Sequence, residues 1–79
     1  MDDDIEAAEI RAEQAEVAAI RIELAVLRQE HEDLDVAVSA LEAEALPDQI
    51  RIARMKKRKL VLRDQIAKLE NRLTPDLIA

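Results

Sequence analysis

The sequence predicts an all-α protein, an antiparallel two-helix hairpin of the coiled-coil type that dimerises into a helical bundle. The chain has no Gly and no aromatic residue, and it is 49% apolar and 38% charged, a composition typical of long helices. Apolar residues recur at heptad spacing in two separate stretches. Pro47 stands between these stretches and excludes the helical conformation from the residue before it.

The first helix is predicted over residues 4–45. Asp2 to Asp4 place negative charge and a potential N-cap at its amino end, where the helix dipole favours acids. Its apolar stripe occupies heptad positions a and d, and we call the contact line formed by these positions the seam. Between Val17 and Ala45, His31 is the only polar residue at a seam position. The a positions are Ile10, Val17, Leu24, His31, Val38 and Ala45, and the d positions are Glu13, Ile20, Leu27, Leu34 and Leu41.

The second helix is predicted over residues 48–73, with Asp48 as its N-cap. Thr74-Pro75 ends the heptad pattern, so residues 74–79 form a C-terminal tail. The a positions of this helix are Ile52, Lys59, Ile66 and Leu73, and the d positions are Met55, Leu62 and Leu69.

A turn at residues 46–48 is short enough to require that the two helices run antiparallel. The register that centres this turn on Leu46-Pro47 places His31 opposite Leu62 and Lys59 opposite Leu34. The flanking e and g positions then pair acids with bases, apart from Arg28 opposite Arg63. The predicted pairs are Asp35 with Lys56, Arg21 with Glu70, Glu44 with Arg51, and Glu23 with Arg72.

Residues 27–70 contain His31 three residues before Leu34-Asp35, then Leu41-Glu42-Ala43, the turn Pro47-Asp48 and a basic run that begins at Met55. With this pattern the region resembles the YdcH-like family, small bacterial proteins of unknown function. The resemblance implies a helical hairpin or coiled coil and implies no activity. Residues 1–26 lie outside it and are interpreted as an N-terminal helical extension, and residues 27–73 as the hairpin itself. Met55 and Arg63 depart mildly from the Leu and Lys of the family pattern. The corresponding positions are His31, Leu34, Asp35, Leu41, Glu42, Ala43, Pro47, Asp48, Met55, Lys56, Lys57, Lys59, Leu60, Leu62, Arg63 and Asp64.

Catalysis and metal binding are not expected. The chain has no Cys, no Gly-rich phosphate loop and no Ser-His-Asp set, and Ser39 is a single hydroxyl on a helix. His31 alone does not make a zinc site, even with Glu32 and Asp35 nearby. We therefore expect no enzyme activity and no cofactor.

The polar residues of the seam form a candidate cluster of His31, Asp35 and Lys59. Lys59 can extend towards Asp35, and His31 lies four residues before Asp35 on the same helix. One interpretation is a pH-sensitive or ligand-binding site. The interpretation that we favour is that these polar residues disfavour slipped pairings of the two helices.

Charge is distributed unevenly along the chain. Residues 1–49 carry a net charge of −12 and residues 50–79 a net charge of +6, which together give the −6 of the whole chain. Of the six cations of residues 51–60, Arg51 and Lys56 are therefore expected to pair with the first helix and Lys59 lies in the seam. Arg58 is expected to flank the seam opposite Ala37, and Arg54 and Lys57 to face outward. Nucleic-acid binding is the alternative function, and a membrane surface is a weaker one. The candidate basic face for nucleic acid is Arg54, Lys57, Arg58 and Lys68.

A second apolar stripe lies away from the seam and is the candidate self-association surface. In addition, residues 1–19, which we call the overhang, have no partner within the chain in the predicted register. We therefore expect a homodimer, or binding to another helical protein, and a non-enzymatic interaction or structural role. No stretch is apolar enough to span a membrane, and the acidic N-terminus predicts a cytoplasmic location. The stripe consists of Ile22, Val26, Val36, Leu60 and Val61.

Overall fold

A computed structural model describes residues 2–74. It contains two helices, α1 (Asp2–Glu42) and α2 (Gln49–Leu73), joined by a loop of residues 43–48. No strand and no residue with positive φ occurs within residues 2–74. The helices pack into an elongated hairpin measuring 69 × 27 × 14 Å. The predicted all-α hairpin is confirmed, and residues 75–79 of the predicted tail lie outside the described part of the chain.

The core of the hairpin is the predicted seam. Ile20, Leu24 and Leu69 form a buried cluster, against which Leu27, Ile66 and Leu73 pack. These six residues are three of the facing pairs that the register predicts. Nearer the loop, Val38 and Ile52 are buried and Leu62 is 0% exposed. Burial of this apolar surface supplies the main force that holds the helices together.

The loop is longer than predicted, because α1 ends at Glu42 rather than at residue 45. The Ala43 amide still donates to the Ser39 carbonyl four residues back, as in an α-helix, and the Glu44 amide donates to the Leu41 carbonyl three residues back, which tightens the end of the helix. Ala45, predicted as the last seam residue of α1, is exposed in the loop. Pro47 requires an extended residue before it, and two packed helices lie about 8–10 Å apart. Closing the hairpin therefore takes more chain than residues 46–48.

Side-chain and backbone caps fix both ends of α2. Asp48 is the N-cap, and its carboxylate accepts the amide hydrogen of Arg51 at 3.1 Å, which confirms the prediction. At the other end, the Thr74 amide and hydroxyl both donate to the Glu70 carbonyl, at 2.9 and 3.2 Å. These bonds satisfy backbone groups that have no partner within the helix.

The overhang projects beyond the end of α2. The outermost seam pair is Ile20 and Leu73, so residues 2–19 of α1 extend about 27 Å past it at the helical rise of 1.5 Å per residue. The side chains of residues 3–19 are exposed, including Ile5 at 60% and Ile10 at 53%. Within the described residues, neither helix has a stretch long and apolar enough to cross a membrane.

Candidate interaction surfaces

Ion pairs join α1 to α2 along both edges of the seam. As predicted, they connect e positions with e positions and g positions with g positions. The predicted partners are wrong, because each observed partner on α1 lies one heptad away from the expected one. The observed pairs are Arg28 with Glu70 at 3.0 Å, Lys56 with Glu42 at 2.8 Å, Arg58 with Glu30 at 3.1 Å, and Arg72 with Glu16 at 2.9 Å.

For Arg28, the displaced partner avoids a contact between like charges. In the predicted arrangement Arg28 faces Arg63, whereas in the structure Arg28 reaches Glu70. Arginine and lysine side chains are long enough to reach a partner on either side of their own level. The paired side chains are about half exposed, so each pair contributes only about 0.2–1 kcal/mol. The ion pairs therefore contribute more to the choice of register than to the free energy of folding.

Of the candidate polar cluster, the structure joins Lys59 to Asp35, whereas His31 makes no hydrogen bond to either of them within residues 2–74. The Lys59 ammonium donates a hydrogen bond to the Asp35 carboxylate, as its expected extension towards Asp35 requires. The Lys59 side chain is 24% exposed, and His31 is half-buried on the facing helix. The hydrogen bond from Lys59 and its charge lower the pKa of Asp35, with a smaller contribution from His31. Partial burial opposes this lowering of the pKa.

Beside this cluster lies an open groove of about 540 Å³, which we call the basic groove. Lys56 and Lys59 reach acids on α1, whereas Arg63 makes no ion pair within residues 2–74. Leu60 is 62% exposed there. The sequence reasoning did not group these residues, although Lys56, Leu60 and Arg63 recur at helical spacing. The groove is lined by His31, Lys56, Lys59, Leu60 and Arg63.

One of the four cations of the candidate basic face forms an ion pair within the hairpin. Arg58 was predicted to lie opposite Ala37, but its guanidinium donates to both Glu30 carboxylate oxygens, at 3.1 and 3.4 Å. The other three make no ion pair in the part of the chain that the structure describes. These are Arg54, Lys57 and Lys68, all exposed.

The candidate self-association stripe is exposed on both helices. Ile22, Val26 and Val36 are 67%, 62% and 66% exposed on α1, and Leu60 and Val61 are 62% and 41% exposed on α2. The α1 residues occupy heptad positions on the side of that helix away from the seam.

Among residues 2–74, no group of three or more His, Asp or Glu side chains is arranged to hold a metal ion. A second open groove, of about 460 Å³, lies where α2 ends. It is lined by Arg21, Leu24, Arg28, Glu70, Leu73 and Thr74.

A family model described as a protein of unknown function, DUF465, matches residues 24–70. This segment begins at the buried seam residue Leu24 and includes the loop and most of α2. The chain belongs to the DUF465 family. DUF465 includes the YdcH-like small bacterial proteins, so the resemblance seen in the sequence is confirmed. Searches of curated proteins and of solved structures gave no match.

The DUF465 segment contains some of these surfaces and not others. The polar cluster and the basic groove lie inside residues 24–70, whereas the overhang and Ile22 lie before them. The family description names no activity.

Proposed function

We propose that this DUF465 protein is a non-enzymatic helical interaction module that binds a second copy of itself, with another helical protein as the alternative partner. The observation that carries the proposal is the exposure of large apolar side chains outside the seam, such as Ile22 at 67% and Leu60 at 62%. A helix that is apolar on more than one face is stabilised when a neighbour covers the second face.

The small core of the hairpin supports the same proposal. Six residues of the described chain are buried and hydrophobic, and all of them lie in a single seam between two helices. A two-helix unit of this size supplies limited stability alone, and association is a common way for small scaffolds to gain more. A second copy would cover apolar side chains that the chain's own helices leave exposed.

Nucleic-acid binding receives less support. The salt bridge between Arg58 and Glu30 leaves three cations of the candidate basic face outside ion pairs within residues 2–74. No aromatic residue is present to stack on a base. Retention on DNA at physiological salt would reverse this ranking, since phosphate contacts weaken steeply as salt rises. A cytoplasmic location remains part of the proposal.

Thermal unfolding over a dilution series tests self-association. Because a second copy binds the folded chain, the midpoint temperature should rise with protein concentration. Circular dichroism follows the helix content directly. A midpoint that stays constant across the series would overturn self-association.

A further inference from the structure

One edge of the overhang combines acidic and apolar side chains and makes no ion pair within residues 2–74, although Glu16, on another side of the overhang, pairs with Arg72. Glu6, Ile10, Glu13 and Val17 follow one another at spacings of four, three and four, which puts them on one side of α1. Ile10 is 53% exposed and Val17 is 38% exposed. Glu6 and Glu13 make no ion pair within residues 2–74. This edge is therefore suited to a surface that is both apolar and positively charged.

One edge of α2 has the same spacing with the opposite charge. Lys56, Leu60, Arg63 and Ala67 also recur at four, three and four, and the first three line the basic groove. Leu60 is 62% exposed. Arg63 makes no ion pair in the described residues, so its charge is available to an incoming acid.

We propose that the overhang of one copy docks in the basic groove of a second copy, parallel to that copy's α2. This inference rests on the proposed self-association. When two parallel helices lie side by side, residues at the same height along the two helix axes come into contact. The matching spacings then allow four contacts at once. They are Glu6 with Lys56, Ile10 with Leu60, Glu13 with Arg63, and Val17 with Ala67.

The net charges of the two segments support this pairing. Residues 2–19 contain seven acids and one base, a net charge of −6. Residues 49–73 of α2 contain nine bases and two acids, a net charge of +7. Four of the nine bases already pair with α1, and the other five make no ion pair within residues 2–74. The like charges of two overhangs disfavour their pairing with each other, and the remaining positive charge of α2 favours the pairing of an overhang with α2.

The hairpin geometry makes this docking reciprocal. Since α2 runs antiparallel to α1, an overhang parallel to the second copy's α2 is antiparallel to that copy's α1, as a two-fold axis requires. Leu60 lies at the level of Asp33 on its own α1 in the observed register. The axis therefore falls halfway between Ile10 and Asp33, between Arg21 and Ile22. Ile22, which is 67% exposed, would meet its counterpart there.

Charge reversal tests the proposed contact between Glu13 and Arg63. Arg63→Glu and Glu13→Arg each turn two symmetric opposite-charge contacts into like-charge contacts. Each single variant should raise the dimer dissociation constant about tenfold or more, measured by sedimentation equilibrium. The double variant restores opposite charges at both contacts, so its dissociation constant should return close to that of the wild type. If the groove instead bound an unrelated anion, the double variant would not recover the wild-type dissociation constant.

A matched pair of variants tests the apolar part of the contact. Leu60 and Val26 are both 62% exposed, but Val26 lies on the other side of the hairpin from the groove. Leu60→Glu should raise the dissociation constant about a hundredfold by placing a carboxylate against Ile10. Val26 belongs to the candidate self-association stripe but lies outside the proposed docking contact, so Val26→Glu should leave the constant unchanged and a rise would contradict the docking. Circular dichroism establishes that each variant keeps its helices.

The outcomes separate the docking from self-association itself. A wild-type dimer whose charge-reversed double variant is no tighter than the single variants would overturn the docking and leave self-association standing. Dissociation by Val26→Glu with no effect of Leu60→Glu would also overturn it, and would place the interface on the outer face of α1. A wild type that is monomeric at every concentration would overturn both.

Discussion

Leu62 is the position where loss of side-chain volume should weaken the hairpin most clearly. It is 0% exposed and lies opposite His31 in the middle of the seam. Replacing a buried Leu with Ala costs about 2–5 kcal/mol, depending on how far the neighbours close the cavity. The hairpin is only 14 Å thick, and half-buried neighbours such as Leu34 and Ile66 have room to move. We therefore expect a loss in the lower part of that range, about 2–3 kcal/mol.

Urea unfolding followed by circular dichroism measures this loss as a change in the free energy of unfolding. All variants must be compared at one protein concentration, because self-association adds to apparent stability. Leu46→Ala is the matched control, since it removes the same atoms from a side chain that is 91% exposed in the loop. It should change stability by less than about 0.5 kcal/mol. If Leu62→Ala costs no more than Leu46→Ala, Leu62 does not lie in the core and the register is wrong.

Three further predictions concern the cap and the polar cluster. Asp48→Ala removes the N-cap of α2 and should lower the free energy of unfolding by about 1 kcal/mol in urea unfolding, whereas Asp48→Asn, which keeps a capping oxygen, should lower it much less. His31→Leu should raise the melting temperature, because an apolar side chain replaces a polar one in the seam. The mass and helicity of the variant should stay constant between pH 5 and 8. A mass or helicity that changes with pH in the wild type and not in the variant would instead support a pH switch. Asp35→Asn should destabilise the hairpin at neutral pH by removing the ion pair with Lys59. Since the folded state lowers the pKa of Asp35, the difference in unfolding free energy from the wild type should persist down to about pH 4 and shrink below it. A difference that vanished near pH 6 would contradict this assignment.

The fold was predictable because its determinants are local and periodic. The heptad spacing of residues such as Leu24 and Leu69 defines the buried face of each helix, and Pro47 and Asp48 mark where the second helix begins. The end of α1 was less predictable. Residues 43–45 are good helix formers, and the length of chain needed to close the hairpin depends on the distance between the packed helices.

The surfaces were predictable only in part. The contact of Lys59 with Asp35 follows from the register, because a seam lysine needs a nearby acid to accept its charge. The partners of Arg28 and Arg58 did not follow, since long exposed side chains choose among acids one heptad apart at little cost in free energy. The basic groove emerges only when α1 and α2 are packed together, because it takes His31 from one helix and Leu60 from the other.

We claim that this hairpin binds a second copy of itself, and the solution mass of the wild-type chain decides whether it does. Sedimentation equilibrium at near-physiological salt, over a dilution series, should give twice the chain mass of 8.9 kDa and a return towards 8.9 kDa at the lowest concentrations. A mass of 8.9 kDa at every concentration, with helicity retained, would contradict the claim.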